Sequence, residues 1–155
     1  MKMLFVIPRS KDMFGDEVGT KAIADHPHVG VAYLVAVLKR ELPKIKIKIY
    51  DEQLEGSKRS IKKTINYFAP DVIGITTFSY NYQYFYDLVA KLKKFTKIPI
   101  LLGGPHVSAV GKMVLSETKA DFAIKGEGEI HEMSLPDESF RGESLRIWSR
   151  RIDDE

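Results

Sequence analysis

The segment TTFSY, at residues 76–80, offers residue types suited to binding a large ligand without fixed charges. It combines hydroxyl groups with flat aromatic rings, and the candidates are Thr76, Thr77, Phe78, Ser79 and Tyr80. Hydroxyls can hydrogen-bond to polar groups while rings cover apolar surface, so the combination suits a partly apolar ligand with a nucleotide-like tail. The structural alternative is that the rings only pack in the core beside the helix that follows.

A second segment, LLGGPH at residues 101–106, ends an apolar run with two glycines. Because glycine has no Cβ, a bulky group can lie directly against the backbone there. We therefore add Gly103 and Gly104 to the candidate site, with Pro105 and His106 beside them. The alternative is that Gly-Gly-Pro forms only a tight turn.

Both segments follow apolar runs that predict buried strands of a parallel sheet. We predict strands near residues 3–7, 45–50, 72–76, 99–102 and 121–125, and helices at residues 29–42, 58–68, 83–95 and 107–118. This alternation indicates an α/β fold with helices on both faces of the sheet, because parallel strands need crossover connections. Ligands bind at the carboxyl ends of such strands, where both segments lie.

The second predicted strand, IKIKIY at residues 45–50, alternates isoleucine with lysine. This alternation indicates a half-exposed strand at a sheet edge. Order 2-1-3-4-5 places it at an edge and order 3-2-1-4-5 does not, so we predict a flavodoxin-like three-layer sandwich with a five-stranded parallel sheet. In that order the loops at residues 8–28 and 76–82 face one crevice.

Three common functions of this fold do not match these loops. A phosphoryl-accepting receiver needs acidic residues where this chain has IP at residues 7–8 and TT at residues 76–77. A flavodoxin needs a glycine in its phosphate loop, and PRSK at residues 8–11 has none. A dinucleotide-binding fold needs a G-x-G-x-x-G turn directly after the first strand, and that turn is missing.

Four motifs occur together in order. They are PHVGVAYL at residues 27–34, PDVIGI at residues 70–75, LGGPHVS at residues 102–108, and ADF through GEGE at residues 120–129. In this arrangement, the chain resembles the cobalamin-binding N-terminal domain of cobalamin-dependent radical S-adenosylmethionine enzymes. That group includes the anaerobic magnesium-protoporphyrin IX monomethyl ester cyclase type and many methyltransferases. The resemblance covers roughly residues 1–130.

The resemblance implies that a corrinoid lies across the carboxyl ends of the strands, with its nucleotide tail in a groove near residues 76–79 and 103–104. It also implies that residues 126–129 line the far rim and lead into a catalytic barrel. The implied cofactor-binding residues are Thr76, Thr77, Phe78, Ser79, Tyr80, Gly103, Gly104, Pro105, His106, Gly126, Glu127 and Gly128.

The chain departs from the wider family at the cobalt ligand. Mutase and methionine-synthase relatives bind cobalt through the histidine of a D-x-H-x-x-G motif. Here Asp25 and Gly30 have the right separation, but Pro27 occupies the histidine position between His26 and His28. We therefore predict no axial histidine ligand and no metal-binding residue.

A second departure is the lack of cysteine. The radical enzymes continue into a barrel with a C-x-x-x-C-x-x-C cluster motif. Without cysteine, this chain itself can hold no cysteine-ligated iron–sulfur cluster, no disulfide and no cysteine nucleophile.

Composition restricts the partners. The 155 residues suffice for one domain with a real core. The net charge of +3 and the pI near 9.0 come from scattered lysines, so we expect no nucleic-acid partner. No apolar run approaches the ~20 residues of a membrane span, and residues 1–7 are too short for a signal peptide, so we expect no membrane partner and a cytoplasmic location.

Two segments lack periodicity. Residues 8–27 are expected to be a loop or lid over the carboxyl edge of the sheet. Residues 131–155 are expected to be an irregular charged tail, either native or produced by truncation or a frameshift. We therefore divide the chain into a cobalamin-binding-like domain at residues 1–130 and a tail at residues 131–155.

The sequence favours a cobalamin (corrinoid) binding module of a radical S-adenosylmethionine enzyme, with the barrel acting in cis or in trans. No turnover is expected of this chain alone, and no catalytic residue is assigned. The main alternative is a cofactor-free scaffold or interaction domain descended from that module. Another is an α/β enzyme for a different ligand.

Overall fold

The computed structural model describes residues 1–9, 28–55, 60–126 and 146–150. Its strands are β1 (Lys2–Ile7), β2 (Lys46–Asp51), β3 (Val72–Thr76), β4 (Ile100–Gly103), β5 (Phe122–Lys125) and β6 (Arg146–Ser149). Its helices are α1 (Val29–Glu41), α2 (Glu52–Glu55), α3 (Ile61–Phe68), α4 (Tyr82–Phe95), α5 (Pro105–Val110) and α6 (Met113–Glu117). A 3₁₀ turn at Ser79–Asn81 leads into α4.

The strands form one sheet in the order β2-β1-β3-β4-β5-β6. Strands β1 to β5 are parallel, which confirms the predicted flavodoxin-like order. Strand β2 lies at the edge that its alternating lysines indicated. Thr76 of β3 lies beside Gly103 of β4, so the two candidate segments begin at neighbouring points of the carboxyl edge.

The sheet has two differently covered faces. On the α1 face, Val31 packs in one cluster with Met3, Phe5 and Ile7 of β1. The opposite face carries the larger core, in which strand residues such as Leu4 pack with residues of α3, α4, α5 and α6. Burying one such aliphatic or aromatic side chain stabilises the fold by ~1.5–3 kcal/mol. Because this face buries more of them than the α1 face does, it contributes most of the apolar burial.

Two local boundaries differ from the sequence prediction. The helix predicted at residues 107–118 is split into α5 and α6, because Gly111 adopts a φ of 63° and interrupts the helix. The segment between the strand predicted near residues 45–50 and the helix predicted at residues 58–68 contains the short helix α2. No helix among the described residues combines the length and the apolar character needed to cross a bilayer.

Strand β6 is the element that the sequence analysis missed. The expected irregular tail is wrong for residues 146–149, which pair antiparallel with β5. Trp148 packs against the larger core, and its ring lies 3.6 Å from the position that a Cβ on Gly111 would occupy. Arg150 donates hydrogen bonds to the carbonyls of Leu115 and Thr118 at the end of α6.

The predicted lid lies outside the described residues from residue 10 to residue 27, and so does the remainder of the tail.

Candidate functional site

Backbone hydrogen bonds join the two candidate segments at the carboxyl edge of the sheet. Thr77 donates twice to the Gly103 carbonyl, from its backbone nitrogen at 2.8 Å and from Oγ1 at 2.9 Å. The His106 backbone N–H in turn donates to the Thr77 carbonyl at 3.2 Å. Thr77 is fully buried. Its hydroxyl therefore joins the ends of β3 and β4 and does not face solvent.

The two neighbouring glycines have different surroundings. Among the described residues, no heavy atom would lie within 4 Å of a Cβ on Gly103, so this glycine borders open space there beside Thr76. A Cβ on Gly104 would lie 2.9 Å from the Thr77 carbonyl oxygen and 3.2 Å from Thr76 Oγ1. Gly104 also has a φ of 110°, which L side chains rarely adopt. Gly103 thus borders room for a ligand, whereas Gly104 must be glycine because its backbone turns tightly against Thr77.

Aromatic rings form a flat surface at the same edge. The Phe78 and Tyr80 rings stack with centroids 5.4 Å apart and planes inclined by 22°. The His28 imidazole, just before α1, lies 6.3 Å from the Phe78 ring. Tyr80 is 39% exposed and Phe78 is half-buried, and neither belongs to a core cluster. These two rings therefore form a partly exposed apolar surface at the edge of the sheet.

His106 lies behind this edge in an aromatic cluster. Its side chain is only 6% exposed. The Tyr82 ring stacks on it at 6.0 Å, and the Phe85 ring meets it edge-on at 5.2 Å. Burial lowers the pKa of His106, and the charge of Glu117 opposes this shift only in part. A neutral imidazole therefore supports the site from inside.

Both ring nitrogens of His106 have partners. Nδ1 lies 3.2 Å from Ser79 Oγ, and Nε2 lies 3.4 Å from the Tyr86 hydroxyl, which donates a hydrogen bond to Glu117. The sequence analysis found neither Tyr86 nor Glu117, because residues this far apart in the chain give no local signal of contact.

The remaining predicted residues occupy the rim. Pro105 is exposed at the start of α5. Gly126 follows β5 with a φ of 95°, and its N–H donates to Ser108 Oγ at 3.2 Å. Glu127 and Gly128 lie outside the described residues. The structure thus gathers the predicted residues of β3, β4 and the turn before α4 at one edge, with Gly126 following the neighbouring strand.

Comparison with known families matches residues 16–135 to the B12 binding domain. The chain belongs to the B12-binding domain family. The family predicted from the four sequence motifs is thereby confirmed. A comparison with curated proteins finds no match.

Solved structures with this B12-binding fold include the radical S-adenosylmethionine methyltransferase TsrM from Kitasatospora setae. The TsrM structure with cobalamin and a [4Fe-4S] cluster is 16% identical, with a TM-score of 0.63 over 83% of this chain. The TsrM structure with tryptophan substrate and a SAM analogue is 17% identical, with a TM-score of 0.60 over 83% of this chain. This domain spans only 24% and 23% of those chains, about a quarter of their length. At this identity the likeness establishes the fold.

Asn81 is a buried residue of this B12-binding domain that the sequence analysis missed. Its Nδ2 donates to the Arg9 carbonyl at 3.4 Å, which joins the turn after β3 to the loop after β1. Its Oδ1 is buried without a hydrogen-bond partner among the described residues, although buried acceptors normally have one. The sequence signal available for Asn81 was its position directly before a helix, where asparagine commonly caps the first turn. In the structure its side chain does not cap α4.

One cavity among the described residues is too small for a corrinoid, whereas the carboxyl edge of the sheet is an open surface. A cavity of about 170 Å³ lies between α2, α3 and α4, lined by Glu52, Ile61 and Tyr84 among others. Pockets for drug-sized ligands measure ~300–1,000 Å³, so this cavity cannot take a corrin macrocycle. The open side of Gly103 and the partly exposed, stacked rings of Phe78 and Tyr80 provide instead a surface on which a large, flat molecule can lie.

Proposed function

We propose that this domain binds cobalamin at the carboxyl edge of its sheet. The observation that carries the proposal is the B12-binding match over residues 16–135, which coincides with open space beside Gly103 at that edge. The corrin ring would lie across the ends of β1 and β3 against Phe78 and Tyr80. The nucleotide tail would enter the groove beside Thr76 and Gly103.

The α1 face offers this tail an apolar floor. Leu101 of β4 packs with the cluster on the α1 face, and Gly103 lies on the same face because side chains alternate along a strand. Their partners in β5, Phe122 and Ile124, lie on that face too. These β4 and β5 residues are only half-buried. Covering them would contribute ~25 cal/mol per Å² of apolar surface removed from water.

The residues of the site would hold and orient the cofactor. When bound, cobalamin supplies a cobalt centre able to carry a methyl group. The stacked rings of Phe78 and Tyr80 would cover its apolar surface, and Thr76 would offer a hydroxyl near the tail. Asn81 keeps the two loops of the crevice joined. His28 contacts Phe78, and we assign it no role as a cobalt ligand.

We further propose that the domain serves a radical S-adenosylmethionine enzyme of the cyclase or methyltransferase type, in the cytoplasm. The four sequence motifs and the fold shared with TsrM support this context. The barrel would be supplied in cis or in trans. Any cysteine-ligated cluster would belong to that barrel, since this chain has no cysteine.

A titration of the full chain with hydroxocobalamin, followed by absorbance and equilibrium dialysis, tests the proposal. Wild type should bind at micromolar concentrations. Gly103→Val places a side chain in the open space and should weaken binding at least tenfold, about 1.4 kcal/mol. Valine suits a strand, so this variant should remain folded. Ala36→Val, which enlarges an exposed position of α1, is the control and should bind like wild type.

Each outcome decides between alternatives. If wild type binds no corrinoid at these concentrations, the domain is better described as a cofactor-free scaffold or interaction domain. If Gly103→Val binds as tightly as Ala36→Val, cobalamin does not use the groove beside Gly103. Circular dichroism of both variants shows whether a loss of binding reflects unfolding.

A further inference from the structure

Four polar side chains form a continuous hydrogen-bonded row from the carboxyl edge to the surface beside α6. Ser79 Oγ lies 3.2 Å from His106 Nδ1, and His106 Nε2 lies 3.4 Å from the Tyr86 hydroxyl. The Tyr86 hydroxyl donates to Glu117 Oε2. Ser79 is the exposed member at the candidate site, and Glu117 is the exposed member at the other end. We call these residues the Ser79–Glu117 row.

The centre of the row is held rigidly by packing. Tyr82 stacks almost parallel to the His106 ring, with planes inclined by 7°. Phe85 and Tyr86 contact the same ring edge-on, at 70° and 77°. A partial rotation of the imidazole would disturb all three ring contacts. A 180° flip would keep these contacts but would replace both nitrogens with carbons and so break both hydrogen bonds. The two ring nitrogens therefore keep their separate partners.

The row has one hydrogen-bond direction. The Glu117 carboxylate only accepts, so the single hydroxyl hydrogen of Tyr86 is committed to it. The Tyr86 oxygen can then only accept from His106, which places the one hydrogen of the neutral imidazole on Nε2. Burial lowers the pKa of His106 and so keeps the imidazole neutral. The pKa of Tyr86 is raised, mainly by burial and secondly by the hydrogen bond to Glu117.

This direction determines what Ser79 offers to a ligand. Nδ1 of the neutral imidazole is an acceptor, so the hydroxyl hydrogen of Ser79 points inward to His106. Only the lone pairs of Ser79 Oγ remain for a bound molecule. For Ser79 to donate outward and still hydrogen-bond to His106, every other hydrogen in the row would have to reverse, and Glu117 would have to become the donor. A Ser79 hydroxyl that merely rotates outward gives up its bond to Nδ1.

We propose that Ser79 is an acceptor-only contact that selects a neutral N–H or O–H donor of the ligand, and that His106 is its positioning residue. This inference rests on the proposed function, and the donor we infer is a side-chain carboxamide of the corrin ring. A phosphate oxygen or a carboxylate in the same place would face lone pairs on Ser79 and would be disfavoured. A row of polarised hydrogen bonds also makes the outermost acceptor stronger than an isolated hydroxyl.

The direction can be tested without any ligand. Nitrogen-15 NMR of the full chain, with the His106 signal assigned by its loss in His106→Asn, should show the Nε2–H tautomer. Glu117→Gln introduces a side chain that can donate or accept, so a mixture of tautomers should appear. Asp87→Asn, which neutralises an exposed carboxylate on α4, is the control and should retain the Nε2–H tautomer. An Nδ1–H tautomer in wild type, or no change in Glu117→Gln, would overturn the assigned direction.

The donor is tested with corrinoid probes. Wild type should bind cobalamin at least fivefold more tightly than one of the cobalamin monocarboxylic acids, in which a single side-chain carboxamide is replaced by a carboxylate. Ser79→Ala should reduce that preference to less than twofold, and Ser79→Thr, which keeps the hydroxyl, should restore it. Equal preference in wild type and Ser79→Ala, with cobalamin still bound, would overturn the assignment of Ser79 alone. Absence of all corrinoid binding would instead overturn the proposed function and the carboxamide contact with it.

Discussion

Replacing Gly104 with alanine should lower the free energy of unfolding by ~2–4 kcal/mol. Its φ of 110° and ψ of −174° lie in a region almost restricted to glycine, where another residue costs ~1–3 kcal/mol. The added Cβ would also lie 2.9 Å from the oxygen and 3.0 Å from the nitrogen of Thr77, both backbone atoms. Relieving that contact moves the end of β3 or β4 and weakens a hydrogen bond such as His106 N–H to Thr77 O, worth ~1 kcal/mol.

The neighbouring variant Gly103→Ala is the matched control. It adds the same methyl group one residue earlier, where the new Cβ has no heavy atom of the described part of the chain within 4 Å. A glycine-to-alanine change at a compatible position tends to stabilise by ~0.4–1 kcal/mol, because it restricts the unfolded chain. The two variants have the same composition, so the difference between them reports local geometry alone.

Urea unfolding followed by circular dichroism measures both variants. Gly104→Ala should show a clearly lower midpoint than wild type, with Gly103→Ala at or slightly above it. If the free energies of unfolding of the two variants differ by less than ~0.5 kcal/mol, the strained backbone conformation assigned to Gly104 is refuted. A difference of that size is what a neutral surface substitution produces. Because Gly104 variants should be destabilised in this way, a loss of cobalamin binding in them would not locate the groove, which is why the binding test uses Gly103.

Three further variants test other parts of the structure. Trp148→Ala should lower the free energy of unfolding by ~2–3 kcal/mol, because it removes a large ring packed over Gly111; wild-type stability in urea would show that β6 does not dock. Asp121→Ala should cost ~1–3 kcal/mol, because the Ile100 N–H donates to this carboxylate at 2.7 Å and would lose its partner; Asp121→Asn, which keeps an acceptor, should lose less in the same assay. Burial lowers the pKa of His106 below the ordinary value of about 6.5, so the unfolded chain takes up a proton that the folded chain does not. Wild-type stability should therefore fall between pH 7 and pH 5, and more steeply than that of His106→Gln; equal slopes would contradict a buried neutral imidazole.

Much of the fold was predictable because its signals are local and periodic. Isoleucine–lysine alternation identified the edge strand β2, and four helical crossovers required parallel strands, so the order of β1 to β5 followed. The candidate site was predictable for a related reason. The carboxyl ends of parallel strands meet at one edge of the sheet, which brings Thr76 beside Gly103. The next residue, Thr77, hydrogen-bonds to Gly103 although 26 residues separate the two in the chain.

Other features depend on contacts that the linear sequence does not display. Strand β6 has only four residues, too few for a periodic pattern, and its Trp148 is partly buried because pairing with β5 places it against the larger core. The two glycines look alike in sequence, yet one borders open space and the other adopts a left-handed φ against Thr77, a difference set by the path of the backbone.

The amino-acid sequence by itself determined the family, the strand order and the edge of the sheet where a ligand would bind. Only the tertiary structure decided which polar groups at that edge share hydrogen bonds. His106 appeared in the sequence as a residue that would touch the ligand, whereas the fold surrounds it with aromatic rings and joins it to Ser79 on one side and Tyr86 on the other. The physical reason is that a hydrogen bond depends on both of its partners, and folding brings these partners together from separate strands and helices.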